Sequence, residues 1–256
     1  MRLQQYAPRP AHLKWLLDSD PAIRWQVMRD LTYEAPNAIA DERSRVATEG
    51  WGGQLLARQS RTGNWGGPSE DRGLLTTLYS LVVLMDLGLD PASKQARIMI
   101  ERVEKRLVFK PLNNRPFLHG ETEPCINGRI LALGAYFTKP NDALARQLLR
   151  ERRMFRSLRT GEVIDERWLR FSFPTFWHYD VLRGLDYLRN AGIKPDRRVR
   201  EATEVVIERR HQNGRWPLNL LHRERIPLEM ETAVGSASRW NTLRALRVLR
   251  WYDNSR

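Results

Sequence analysis

The sequence predicts an all-α fold, a closed α/α ring of about five to six helical hairpins, on three observations. An octapeptide recurs at a near-constant step, each copy separates apolar from small or polar positions, and heavily charged segments lie between the copies. The octapeptide occupies residues 24–31, 74–81, 126–133, 178–185 and 239–246, so the steps are 50, 52, 52 and 61. Its first and last copies align almost residue for residue, Arg24-Trp25-Gln26-Val27-Met28-Arg29-Asp30-Leu31 against Arg239-Trp240-Asn241-Thr242-Leu243-Arg244-Ala245-Leu246. Such a period belongs to stacked hairpins, none of which buries its apolar face alone.

Apolar residues fill the fifth and eighth places of most copies, as in Leu78 and Leu81 or Leu182 and Leu185. Three residues apart on a helix is one face. Met28, Leu78, Ile130, Leu182 and Leu243 are therefore expected to face outer helices. At 100° per residue the opposite face holds the third and seventh places. The third are Gln26, Thr76, Gly128, Asp180 and Asn241; the seventh are Asp30, Ser80, Ala132, Gly184 and Ala245. All are small or polar, as expected where inner helices converge on an axis and line a central pocket. The outer helices are expected at 41–59, 93–108, 141–158 and 196–212, which carry more charge. Punctuation agrees, since Gly88-Leu89-Asp90-Pro91 and Gly192-Ile193-Lys194-Pro195 place glycine after one helix and proline near the start of the next.

A repeat spanning nearly all 256 residues implies a single domain, residues 1–256. No apolar run approaches the roughly 20 residues that cross a bilayer. The opening Met1-Arg2-Leu3-Gln4-Gln5-Tyr6-Ala7-Pro8-Arg9-Pro10 offers no secretory signal, so cytoplasmic residence is expected. The single cysteine, Cys125, excludes an intramolecular disulfide and any multi-cysteine zinc motif. A formal charge of +13 attracts anionic ligands and permits peripheral contact with an anionic membrane. Much of it lies in Arg146, Arg150, Arg152, Arg153, Arg156 and Arg159 and in Arg197, Arg198, Arg200, Arg209 and Arg210, which read as a solvated outer rim. No nucleic-acid motif accompanies it.

Before the second copy runs Gln59-Ser60-Arg61-Thr62-Gly63-Asn64-Trp65, with echoes at 157–163 (Gly161) and 210–216 (Gly214 and Trp216). These glycines are 98 and 53 apart, in phase with the repeat. The string resembles the QW repeat of the terpenoid cyclase and prenyltransferase superfamily. That resemblance implies an α/α toroid in which Gln and Trp tie hairpins together. It departs from the squalene-type cyclases, because neither Asp18-Ser19-Asp20-Pro21 nor residues 86–90 supply their acidic motif. It departs from the prenyltransferase β subunits too: Asp180, Cys125 and His178 or His119 carry their zinc-ligand types but not their local order. A metal site is not the expectation, and no cofactor is identified.

Chemistry is expected where long connections, 64–73, 113–123, 162–175 and 217–237, enter the inner helices. Loops over a pocket carry function, and helix N-termini there favour anions. His178, Asp180, Glu121 and Glu231 are the acid/base candidates. Asn127, Trp177, Tyr179, Arg239, Trp240 and Asn241 are the substrate-binding candidates. Each has a structural alternative, Asp180 as a helix cap above all. The readings are a cyclase- or prenyltransferase-like protein acting on or binding a small isoprenoid or anionic ligand, a polysaccharide lyase- or glycosidase-like enzyme on acidic sugars, and a non-catalytic binding module.

Overall fold

Asp20 organises the N-terminal region. The structure, a computed structural model, describes residues 8–66, 70–109, 113–119, 133, 136–137, 154–157, 159–222, 226–231 and 233–253. Helix α1 (Pro10–Leu17) and helix α2 (Pro21–Val27) both open on proline, whose missing N–H costs nothing in a first turn. The Asp20 carboxylate accepts from the backbone N–H of Ala22 at 2.8 Å, capping α2, and from that of Trp51 at 2.7 Å. Burial raises its pKa even so, against the pull of those two bonds. Gly50, at φ +55°, passes so close that a Cβ there would lie 2.1 Å from the Asp20 carboxylate. That contact breaks the 41–59 segment, expected to be one helix, into α3 (Pro36–Ser44), a 3₁₀ turn and α4 (Gly50–Ala57).

The first octapeptide runs from α2 into a π-helical turn, Met28–Thr32. The second lies within α5 (Glu70–Leu87) and the fifth within α9 (Arg239–Asp253). The third lies outside the described residues except Leu133, which is buried. The fourth enters its helix late: α7 (Val181–Asn190) starts after Asp180, whose side chain caps it by accepting from Arg183 N–H at 2.7 Å. His178 and Tyr179 therefore belong to the preceding loop.

Among the outer segments, 93–108 forms α6 (Lys94–Arg106), capped by Ser93, and 196–212 forms a 3₁₀ turn followed by α8 (Arg200–Glu208). Most of 141–158 lies outside the described residues, and 154–157 is turn and bridge, because Arg156 pairs antiparallel with Val163. A two-residue hairpin, β1 (Val108–Phe109) with β2 (Arg115–Pro116), follows α6. The described chain is otherwise mostly helical. Among the described residues no helix is long and apolar enough to cross a membrane.

The described helices that carry the octapeptides are buried on both faces. Leu78, Leu81, Leu182, Leu185, Leu243 and Leu246 are buried at the fifth and eighth places, and so are Gln26, Asp180, Asn241, Ser80 and Ala245 opposite them. Thr76 and Met28 are half-buried, whereas Gly128, Ile130 and Ala132 lie outside the described residues. α9 packs between α7 and α2, α8 covers α7 and α9, α1 covers α2, and α4 lies against α2 and α5. Of the basic rim, Arg146, Arg150, Arg152 and Arg153 lie outside the described residues. Arg156, Arg198 and Arg200 are ion-paired with Glu201, Asp196 and Glu204.

Two glycine loops have the same construction. Trp65 is fully buried; its indole N–H donates to Leu55 O in its own outer helix at 2.7 Å, and its backbone N–H donates to Thr77 Oγ1 on the inner helix at 3.1 Å. Trp216 repeats this with Val206 O at 2.6 Å and Thr242 Oγ1 at 3.0 Å. Thr77 and Thr242 are both fourth in their octapeptides. Gln59 bonds Gly63 O, and Arg210 bonds Gly214 O in its place. Both glycines have positive φ and meet a helix from elsewhere in the chain. A Cβ on Gly63 would lie 2.7 Å from Arg102 O of α6, and one on Gly214 would lie 2.3 Å from the His12 ring of α1. The loop of the last hairpin thus rests on α1 as the loop of the second rests on α6.

Candidate functional site

Helix α9 carries Arg244 and Arg247 three residues apart, and α7 carries Arg183 and Asp186 at the corresponding positions, the sixth place of the copy and the first residue after it. Three apart is one face, so each pair points the same way. Arg247 donates to both Asp186 oxygens, with Nε–Oδ1 at 2.6 Å, and to Gln26 Oε1, and it lies 3.5 Å from the Asp30 carboxylate. Arg189 bridges Asp186 at 3.1 Å and Asp30 at 3.3 Å. The π-helical turn after α2 presents Asp30 to both arginines.

Burial pushes the Asp186 carboxyl up, but Arg247, Arg189 and Arg244 outweigh it and hold the group below its ordinary value. Asp30 behaves alike: the bond from Arg29 and the charges of Arg189 and Arg247 overcome burial. Conversely, Asp186 and Asp30 hold Arg247 charged against the burial that would lower it.

Asp86, in the last turn of α5, is different. Its backbone carbonyl accepts from Gln26 Nε2 at 3.2 Å, while its carboxyl has no hydrogen-bond partner among the described residues. Burial raises its pKa despite Arg183, Arg244 and Arg247, and Asp186 adds to the rise. Part of the residue nonetheless remains accessible. A buried carboxyl whose pKa is raised, under the charges of arginines, can donate a hydrogen bond or proton to a bound group.

Arg244 connects this centre with the entry end. It donates to Ser172 O at 3.2 Å and lies 3.5 Å from Asn241 Oδ1, 3.6 Å from Asp180 and 3.8 Å from Asp186. Arg183 donates to Phe176 O at 3.1 Å and His178 O at 3.2 Å.

The candidates read from sequence take separate places around this frame. Asp180 is fully buried, capping α7 and accepting from Ser172 N–H at 3.3 Å. Asn241 donates to Pro217 O at 2.9 Å. Glu231 accepts from Ser238 Oγ and from Trp240 N–H at 3.2 Å, at the N-terminus of α9; burial raises its pKa against those bonds. Arg239 reaches away from the centre to Trp15 O and Asp18 O, its guanidinium 4.8 Å from the Trp15 ring. Trp240 stacks on Phe173 at 4.3 Å. Tyr179 donates to Met154 O at 2.9 Å, and burial raises its pKa. His178 is buried with Nε2 3.2 Å from Arg170 O, whereas the neighbouring Trp177 is exposed.

Glu121, Cys125 and Asn127 lie outside the described residues, as does the His119 side chain. Among the described residues no group of three or more His, Cys, Asp or Glu could hold a metal. The sequence reading missed Asp86, Arg183, Asp186, Arg244 and Arg247. For all but Asp86 the signal was charge at the sixth place of the fourth and fifth copies and at the first position after each. No family model, curated protein or solved structure matches the chain.

Proposed function

We propose that the protein is a terpenoid cyclase/prenyltransferase-like α/α toroid that holds a small anionic ligand in a polar centre below the inner-helix entry end. The ring is supported by the contact of α9 with α2, and by the matching way in which the second and last loops rest on α6 and α1. Five hairpins suffice for it, with α1 as the outer helix of the first.

The ligand reading rests on one observation: the deep carboxyl of Asp86, without a hydrogen-bond partner among the described residues, beside Arg183 and Arg244. An ionised ligand would be drawn to the arginines, and the raised pKa of Asp86 favours the protonated form that donates to its oxygen. The same carboxyl has the character required of a general acid. A centre so rich in charge favours a polar ligand over a bare hydrocarbon, whose burial there would strand ionic groups.

Calorimetric titration of the purified protein with phosphate, pyrophosphate and glucuronate tests this reading. At least one should bind, and Asp86→Asn and Arg244→Gln should each weaken it tenfold or more. Absence of binding by all three, or affinity unchanged in both variants, rejects it.

A further inference from the structure

Of the nine tryptophans, Trp177 alone is exposed, at 48% of its surface. Its placement is held by structure on both sides. Phe176 adopts φ +44°, a left-handed conformation that is an outlier for a bulky residue. Arg183 donates to the carbonyls of Phe176 and His178, the residues flanking the indole, and His178 N–H closes the turn onto Thr175 O at 2.8 Å. Backbone strain of this kind persists only where its surroundings enforce it, and it concentrates at ligand sites.

Two imidazoles border the exposed ring. His222 lies 5.2 Å from it and His178 6.0 Å at a right angle, and the two imidazoles are 5.3 Å apart. The buried hydroxyls of Ser172 and Thr175, in the same loop, lack partners among the described residues. Arg183, which holds the backbone on either side of Trp177, also acts electrostatically on the Asp86 carboxyl.

We propose that Trp177, with His222 beside it, is a stacking platform for the ring of an acidic sugar, a pyranose bearing a carboxylate. This rests on the anionic-ligand reading above and names its substrate class. The C–H face of a pyranose lies flat on an indole, as apolar rings do. His222 adjoins the indole with a polar ring, and the +13 charge draws in the carboxylate.

The test is titration with tetragalacturonate and with neutral maltotetraose, followed by tryptophan emission and calorimetry. The acidic chain should bind and shift the emission to the blue. Trp177→Ala should weaken it about tenfold, Trp177→Phe much less, and Arg209→Ala on the outer rim not at all. Circular dichroism identical to the parent verifies the fold of Trp177→Ala. Equal binding of maltotetraose, undiminished binding by Trp177→Ala, or no binding of tetragalacturonate overturns the proposal. If phosphate or pyrophosphate still binds in an Asp86-dependent way in that last case, only the sugar class fails. If no anion binds, the central-ligand reading fails with it.

Discussion

At the scale of single residues, a small side chain can be required by something other than an axis. Gly184 occupies the seventh place of its copy, where crowding between inner helices is expected. A Cβ there would instead lie 2.4 Å from Met154 Cε and 2.6 Å from the Tyr179 hydroxyl, within the pair that Tyr179 forms with Met154 O. Gly184→Leu should therefore cost about 1–3 kcal/mol of stability through overpacking, measurable by urea denaturation. Asp86 gives the opposite sign. Its raised pKa means that the stability of its neutral form is complete below the unfolded value and is lost as pH rises through the folded one. Asp86→Asn removes that cost, so its melting temperature at pH 7 should equal or exceed the parent's while anion binding falls. A lower melting temperature would show that the carboxylate is a structural partner. The position of Asp180 was legible as polar and inward. So was its alternative as a helix cap, and Arg183 N–H is the donor it accepts from.

Elements were legible where their determinants are local. Ser93 caps α6 and the Gly63 and Trp65 spacing gives a clasp, both within a few residues of the features they control. The break before α4 was not legible, because it depends on Asp20, 31 residues from its partner Trp51. The 154–157 stretch reads as helix from its charge, yet its pairing across to Val163 prevails. The two tryptophan clasps offer a direct test of repeat equivalence. Trp65→Phe and Trp216→Phe each remove one indole donor and leave a buried carbonyl, at Leu55 and Val206, without it. Each should cost about 1–3 kcal/mol, and the two losses should add within about 0.5 kcal/mol because the sites share no partner. Markedly unequal losses in thermal or urea unfolding would mean that the loops only look alike.

Across the whole molecule, the least legible feature is which side chains join the first and last hairpins, although a closed ring requires that they meet. A periodic sequence reports which neighbours resemble one another, but not that residues 217 apart, Arg247 and Asp30, will meet. The join is made by Arg247 on Asp186, Gln26 and Asp30, by Arg250 on Leu31 O at 2.8 Å, and by Arg239 on α1. Replacing such a buried ionic group by an apolar core is often neutral, whereas removing one partner leaves the other charge uncompensated. Asp186→Asn should accordingly destabilise the protein by about 3–5 kcal/mol at pH 7. The same change should also alter the acid limb. Asp186 and Asp30 have lowered pKa values, so their contribution is present above the ordinary carboxylate value of 3.8 and is lost as pH falls through the folded values. Asp20, Asp86 and Glu231 are shifted upwards and oppose this trend, which makes the difference between variant and parent the informative quantity. That difference should be largest near neutrality and shrink as the pH is lowered below 3.8, when the parent's Asp186 is itself neutralised. A stability difference that stays constant from pH 7 to the acid limb would assign the loss to packing and remove the ionic join from the account of how the two ends of the chain are held together.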